Sequence, residues 1–329
     1  MRAIVGTAYG PPTLLQLEER ETPTPGAGEV LVEVHAASVN AGDWHLLRGD
    51  PFLVRLMFGF RERNIAVLGA DVAGRVAAVG ENVPAMQPGD AVYGDISACG
   101  FGAFAEYACV PETALAPKPA NLSFEEAAAV PAAAVTALQA LRDHGKLRSG
   151  QHVLINGASG GVGMFAVQIA KALGAEVTGV CSTRNLDRVR SLGADHVIDY
   201  TAEDFTRGGA RYDVILAANG YHPILHYRRA LRSGGTYVMS GGGVAQFFQA
   251  ALLGPCLSMV GHRKMGCMLV KPNRDDLAYL TTLIEAGKVA PVIDRRYPLT
   301  DVPEAIAYLE EGHAQGKVVI EVRGTTDYV

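Results

Sequence analysis

Residues 152–163 read HVLINGASGGVG, and the stretch they open closes at residues 194–200 with ADHVIDY. Val153-Leu154-Ile155 is a short apolar run of the kind that forms a buried strand. Gly157, Gly160 and Gly163 follow, three residues apart. A helical period starts at once, with Val162, Ala166, Ile169 and Leu173 on one face and Gly174 placed to end it. Val177 to Cys181 is a second strand. Strand, glycine turn, helix and strand make a βαβ unit suited to a dinucleotide. The turn lets backbone N–H groups approach a pyrophosphate, and the helix N-terminus adds partial positive charge. Gly157, Ser159, Gly160, Gly161, Val162 and Gly163 are the candidate contacts. A glycine-rich turn in an ordinary α/β domain is the plainer alternative.

The end of the second strand speaks to which dinucleotide. Sites for NAD usually place Asp or Glu there to hold the ribose 2′-hydroxyl. Here the strand runs into Ser182-Thr183-Arg184, with Glu176 before it and Asp187 well beyond its end. Two hydroxyls and a guanidinium suit a 2′-phosphate, because arginine offers a planar fork of donors and keeps its charge. The expected coenzyme is therefore NADPH, unless Arg184 is only a solvated loop charge.

Composition bounds the rest. A chain of 329 residues fits two domains of ordinary size, and 49% hydrophobic with 19% charged residues describes a globular protein with a large core. The net charge of −5 without a long basic cluster argues against nucleic acid. Val244 to Val260, the longest apolar region, is broken by Gln246, Gln249, Gly254 and Pro255. It reads as a buried helix and a strand, not as a membrane span. Five cysteines without a C-x-x-C pair point to reduced thiols and a cytosolic setting, as does an N-terminus without a signal-length apolar run.

Residues 1 to about 120 carry many short apolar segments separated by Gly and Pro, which suggests a compact β domain or distorted barrel. Ser123 with Glu126 forms a capping box, and further helix is expected over about Ala134 to His144. Beyond Tyr200, strands at Asp213–Ala217, Thr236–Ser240 and Met265–Val270 alternate with helices, the last of them Asp275–Ala286. That succession builds a doubly wound parallel sheet. From about Val292 the tail reads as strand, helix Val302–Glu311 and strand, returning to the first domain. The expected domains are 1–121 with 292–329, and 122–291.

Six segments together resemble the medium-chain dehydrogenase/reductase superfamily, in its zinc-independent branch of quinone oxidoreductases and enone reductases. They are SVNAGDWHLLRGD from Ser38, GADVAGRVAAVG from Gly69, PGDAVYG from Pro88, AAAVTALQAL from Ala132, INGASGGVG from Ile155 and GKVVI from Gly316. The resemblance runs nearly end to end. It implies a GroES-like β domain plus a Rossmann NADP-binding domain, an active-site cleft between them, and a homodimer paired through sheet edges. Zinc-dependent relatives carry a Cys near the position of Asn40, Gly-His-Glu at Gly69-Ala70-Asp71, and a lobe of four cysteines where this chain has only Cys99. Zinc needs three or four close ligands, and no such set is legible, so no metal is expected.

Without a metal, the protein's task is to position the nicotinamide and polarise a small-molecule acceptor. The resemblance puts Asn40 at the nicotinamide end, as a polarising amide or as a loop tie. His45 is a candidate proton donor or a bland exposed ring; a Tyr often stands near that position in the branch. Asp43 is expected to orient the loop, with Arg48 as its candidate partner. By resemblance Thr136 lies beside the nicotinamide, Tyr200 closes over the 2′-phosphate, and Lys317 sits near the pyrophosphate. Asn219, Ser240 and Gly241 follow sheet strands, where ligand crevices form. His262, Arg263 and Lys264 read as a water-facing basic cluster. The function expected is NADPH-dependent, zinc-independent reduction of a quinone or α,β-unsaturated carbonyl. A zinc-free alcohol or aldehyde dehydrogenase, and a non-catalytic NADPH-binding protein, are the alternatives.

Overall fold

The computed structural model describes residues 1–209 and 211–323. They form two compact units: Met1–Ala132 with Pro272–Glu285 and the chain from Pro291 onward, and Ala133–Lys271 with Ala286–Ala290. Residues 324–329, given to the first domain above, lie outside the described chain.

The first unit opens with an antiparallel pair, β1 (Arg2–Val5) and β2 (Gln16–Glu19). Its organising strand is β3 (Glu29–Val39), which alternates apolar and polar residues at its start and is almost wholly buried beyond. Two register shifts, at Leu31/Val32 and Val34/Ala36, interrupt its pairing with β4 (Asp71–Val79). Such irregularities bend a strand, as a closed β unit requires. The sheet continues through β5 (Ala91–Asp95) and β7 (Leu115–Pro117), while β6 (Tyr107–Pro111) pairs with β3. Val32, Val34, Leu47, Phe104 and Leu115 belong to its core. Two helices that the strand-rich reading passed over, Ala41–Arg48 and Leu53–Phe58, lie between β3 and β4. The first was signalled, because Asn40 takes the N-cap position and Gly49 closes the helix at φ 62°.

The second unit carries six parallel strands: β8 (His152–Asn156), β9 (Glu176–Cys181), β10 (His196–Asp199), β11 (Tyr212–Ala217), β12 (Leu231–Met239) and β13 (Lys264–Cys267). Their order is β10-β9-β8-β11-β12-β13. The chain winds outward from β8 to β10, then crosses to β11 and winds the other way. This is the doubly wound Rossmann arrangement, and its reversal point falls between β8 and β11. The helix Gly161–Ala172 links β8 to β9, with Phe165, Ala166 and Ile169 buried and Gly174 at φ 80° just beyond its end. Upstream, the helix expected from Ala134 begins at Pro131 and widens into a π-turn over Gln139–His144.

The chain then returns to the first unit. The helix Arg274–Glu285, read from sequence as part of the parallel-sheet domain, belongs to the first unit: the Tyr93 hydroxyl on β5 donates to the Leu277 carbonyl at 2.9 Å, and Asn121 Nδ2 donates to the Ile284 carbonyl at 3.0 Å. The helix Phe124–Ala128, with its Ser123–Glu126 capping box formed as expected, also falls there. The tail does rejoin this unit, as β14 (Ile293–Pro298), the helix Val302–Glu310 and β15 (Lys317–Glu321), and β15 pairs antiparallel with β3. One expectation fails outright. Val244 to Met259 is helical throughout, with no strand, and Leu252, Met259 and Val260 are exposed. Apolar content alone does not tell a core segment from a surface one.

Candidate functional site

In the second unit the glycine turn is built as its spacing foretold. Gly157 has φ 83°, and a Cβ there would come within 2.8 Å of Asn219. A Cβ on Gly163 would lie 2.0 Å from the Gly157 carbonyl. Those two glycines are required by the protein's own packing. Gly160 differs: its φ is −82°, and a Cβ would meet only the Gly157 oxygen, at 3.6 Å. The room beside it is open. Gly160 caps the helix Gly161–Ala172, and the amides of Gly161, Val162 and Gly163 form its first turn, where no carbonyl lies above them. An open backbone at a helix N-terminus fits a pyrophosphate.

Asn185, which sequence reasoning did not single out, braces both sides of this turn. Its Nδ2 donates to Ser159 Oγ at 3.1 Å and to Ser182 Oγ at 3.2 Å. A hydroxyl that accepts from an amide keeps its own hydrogen for another partner. Ser159 in the turn and Ser182 at the tip of β9 are thus left as donors. Asn185 is buried, and its Oδ1 has no partner among the described residues. Arg184 is exposed, and no acid pairs with it among the described residues. Glu176 stands at the opposite end of β9, bound to His152 and His196, and Asp187 pairs with Arg190.

Thr183 does not match its expected part. Its hydroxyl donates to Asp199 at 2.5 Å, so the hydrogen a 2′-phosphate would need is already given away. Asp199 ends β10, and the register sets it beside Cys181 at the end of β9. The carboxylate absent from the end of β9 therefore arrives from the neighbouring strand. Tyr200, the next residue, is exposed, and its N–H donates to the Cys181 carbonyl at 3.1 Å. At the reversal point, the Asn219 N–H donates to the Asn156 carbonyl at 3.1 Å. Ser240 and Gly241 follow β12, and Ser240 Oγ is buried without a partner among the described residues. Thr136 lies half-buried in the helix Pro131–Leu138. Unpartnered Ser240 and Asn185 oxygens beside strand ends and an open glycine turn fit a dinucleotide.

The first unit gathers Asn40 and Lys317, while His45 stands apart from that cluster. Antiparallel register sets Ser38 opposite Asp71 on β4 and Val39 opposite Val318 on β15, which brings Asn40 beside Lys317. Lys317 Nζ donates to Asn40 Oδ1 at 2.5 Å and lies 3.3 Å from Asp71 Oδ2. Both ions are buried. Asp71 also accepts from Ser38 Oγ at 2.6 Å, Asn40 Nδ2 at 2.9 Å and the Ala132 N–H at 2.8 Å. A buried ion pair persists only when its remaining hydrogen-bonding capacity is met, and this one is. The resemblance implies a place for Lys317 near the pyrophosphate; in this structure its ammonium is engaged with Asn40 and Asp71. The second hydrogen of Asn40 Nδ2 is directed at the Ser38 carbonyl, 3.4 Å away. Both amide hydrogens of Asn40 are thus directed at groups of the protein itself.

Asp43 does orient this loop, but not through Arg48. It accepts from the backbone N–H groups of Asn40 at 2.7 Å and Gly69 at 3.1 Å, while Arg48 forms a two-bond pair with Glu310. Burial pushes the Asp43 carboxyl up to about 7 against those two donors. His45 Nδ1 lies 2.7 Å from the Asp50 carbonyl, and its ring stacks on Trp44. A carbonyl only accepts, so Nδ1 carries the hydrogen. Nε2 of the neutral ring is then an acceptor, and donation from it requires the imidazolium. Elsewhere, Arg263 of the expected water-facing cluster donates to the Leu231 carbonyl at 3.0 Å. Among the described residues, no group of three His, Cys, Asp or Glu side chains could hold a metal ion.

Comparison with known proteins agrees with this architecture. Residues 26–120 match the family described as alcohol dehydrogenase GroES-like domain, and residues 192–320 match the family described as zinc-binding dehydrogenase. The chain is 35% identical to the chloroplastic quinone-oxidoreductase QR1 of Triphysaria versicolor, over 98% of each sequence. It is also 35% identical to a chloroplastic NADPH-dependent alkenal/one oxidoreductase of Arabidopsis thaliana, over 97% of this chain and 79% of that one. Among solved structures, the quinone oxidoreductase from Coxiella burnetii superposes with a TM-score of 0.86 at 32% identity, over 98% of this chain and 99% of that one.

Proposed function

The chain belongs to the medium-chain dehydrogenase/reductase superfamily, in its quinone-oxidoreductase-like branch, and is an oxidoreductase; from that premise we propose that it reduces a quinone or an α,β-unsaturated carbonyl with NADPH and without zinc. The observation that carries the proposal is the turn at Gly160, open where a Cβ would otherwise stand and flanked by Ser159 and Ser182, both held as donors by Asn185. When bound, the coenzyme supplies the hydride. Gly161, Val162 and Gly163 offer amides to its phosphates, and Ser182 and Arg184 offer a hydroxyl hydrogen and a fixed charge to a 2′-phosphate. Ser240 Oγ and Asn219 serve the nicotinamide side. In the first unit, Asn40, Lys317 and Asp71 hold the loop that carries Trp44 and His45. The final proton comes from water, or from His45 when that ring is cationic.

The zinc-free reading is supported by Lys317, an ammonium already neutralising Asp71, and by the lack of a three-ligand cluster among the described residues. The acceptors named for two relatives, a quinone-oxidoreductase and an NADPH-dependent alkenal/one oxidoreductase, and the coenzyme named for the second, support the choice of acceptor and of NADPH. We also infer a homodimer, joined at the exposed apolar residues Leu252, Met259, Val260 and Leu269 near the edge strand β13. Steady-state NADPH oxidation with 1,2-naphthoquinone, an enone and a simple aldehyde tests the proposal. Turnover of the quinone or the enone is the expected result. Turnover of the aldehyde alone would make the chain an alcohol or aldehyde dehydrogenase. Tight binding without turnover of any of the three would make it a non-catalytic NADPH-binding protein.

A further inference from the structure

The tip of β9 carries two hydroxyls that the fold has set in opposite senses. Ser182 accepts from Asn185 and keeps its hydrogen, whereas Thr183 gives its hydrogen to Asp199 at 2.5 Å. Asp199 is held firmly in place. Its other oxygen accepts from the Thr201 N–H at 2.9 Å and from Thr201 Oγ1 at 2.7 Å. The Thr183 and Thr201 hydroxyls keep its carboxyl below the usual range, so it is ionised at neutral pH. The register Asp199↔Cys181 puts this charge where many NAD-binding folds carry an acid at the end of the second strand.

These two settings discriminate between ligands. A phosphate near neutrality offers mainly acceptor oxygens and up to two negative charges. Thr183, with only lone pairs left to present, gives it nothing, and Asp199 repels it. A ribose 2′-hydroxyl can donate, and both Thr183 and Asp199 can accept from it. Ser182 and the exposed Arg184 favour the phosphate instead. The site thus contains elements of both recognitions, side by side.

We propose that Asp199 is a coenzyme-selectivity residue: supplied from β10 and coupled to Thr183, it favours the 2′-hydroxyl of NADH over the 2′-phosphate of NADPH and so limits the preference that Arg184 and Ser182 create. This rests on the reading of the second unit as a nicotinamide-coenzyme site. It makes the protein a user of both coenzymes, with NADPH favoured by a moderate margin.

Calorimetric dissociation constants for NADPH and NADH, with the whole chain and its Asp199→Asn variant, test it. The amide keeps an acceptor for Thr183 and removes the charge. Asp199→Asn should raise the NADPH-over-NADH affinity ratio roughly three- to tenfold, the scale of one exposed charge acting on a dianion. The rise should shrink in about 1 M salt, where screening acts within roughly 3 Å. Thr183→Ala, measured alongside, should weaken NADH more than NADPH, and it remains informative if Asp199→Asn folds poorly. A ratio that is unchanged or lower in Asp199→Asn, or NADPH weakened more than NADH in Thr183→Ala, overturns the inference while leaving the coenzyme site intact. Failure of the unaltered protein to bind either coenzyme overturns the coenzyme site and this inference together.

Discussion

Lys317 Nζ lies 2.5 Å from Asn40 Oδ1, and the same ammonium lies 3.3 Å from Asp71 Oδ2, in a setting where the lysine is 4% exposed and the aspartate not at all. The three residues are far apart in sequence and meet only because β15 and β4 flank β3. Removing the ammonium would leave Asp71 charged and buried. Lys317→Met is therefore predicted to cost about 3–5 kcal/mol of stability. Chemical denaturation measures it, and a loss under about 1 kcal/mol would mean that water replaces the ammonium.

The glycine turn yields a paired prediction. Gly163→Ala brings a Cβ within 2.0 Å of the Gly157 carbonyl and should destabilise the turn itself. Gly160→Ala meets no such obstacle and should fold with an unfolding free energy within about 1 kcal/mol of the parent, since alanine is tolerated at φ −82°. Its methyl group would enter the space assigned to the pyrophosphate, so NADPH affinity should fall at least about tenfold. Thermal melts and coenzyme titration of the two variants separate folding from binding.

Arg184→Ala should weaken NADPH by roughly ten- to a hundredfold, the worth of one charge-assisted hydrogen bond at about 1.5–3 kcal/mol. NADH, which has no 2′-phosphate, should be nearly unaffected. Parallel titrations decide it, and an equal loss for both coenzymes would move Arg184 away from the ribose.

Asp43 predicts a pH effect on stability. Burial raises its carboxyl from 3.8 in the unfolded chain to about 7 in the folded one. Between those values the folded protein holds the extra proton, so the unfolded state binds fewer. Stability contributed by this group is thus full below about pH 4, falls as pH rises towards 7, and is flat above. Carbon-13 NMR of the carboxyl should show a midpoint near neutrality. A midpoint near 4 would mean that the Asn40 and Gly69 amides fully offset desolvation.

What was legible in the sequence was local. The run from Val153 to Cys181 carries its strand, glycines, helix period and stop within thirty residues, and the structure follows it. The caps at Asn40 and Gly49 were equally local but were overlooked beside the strand-rich pattern around them. The pairing of Lys317 with Asn40 and Asp71, and the arrival of Asp199 beside Thr183, depend on strand register. No spacing along one segment encodes register between distant strands. Arg48 likewise meets Glu310 on a helix near the other end of the chain instead of its neighbour Asp43.

The apolar surface near β13 should make the chain a dimer. Light scattering after size exclusion should give about twice the 34.7 kDa chain mass. Charged replacements at Leu252 and Val260, which are 67% and 66% exposed, should shift it towards the monomer. A monomeric parent protein at micromolar concentration would refute the assignment.

A nicotinamide dinucleotide resting on the amides that follow Gly160 is the premise of every site assignment above. Isothermal titration of the purified chain with NADPH and then NADH addresses it directly. Saturable binding of about one coenzyme per chain, tighter for NADPH, is the expected result. An absence of binding heat for both, repeated at a second temperature to exclude a silent enthalpy, would contradict it.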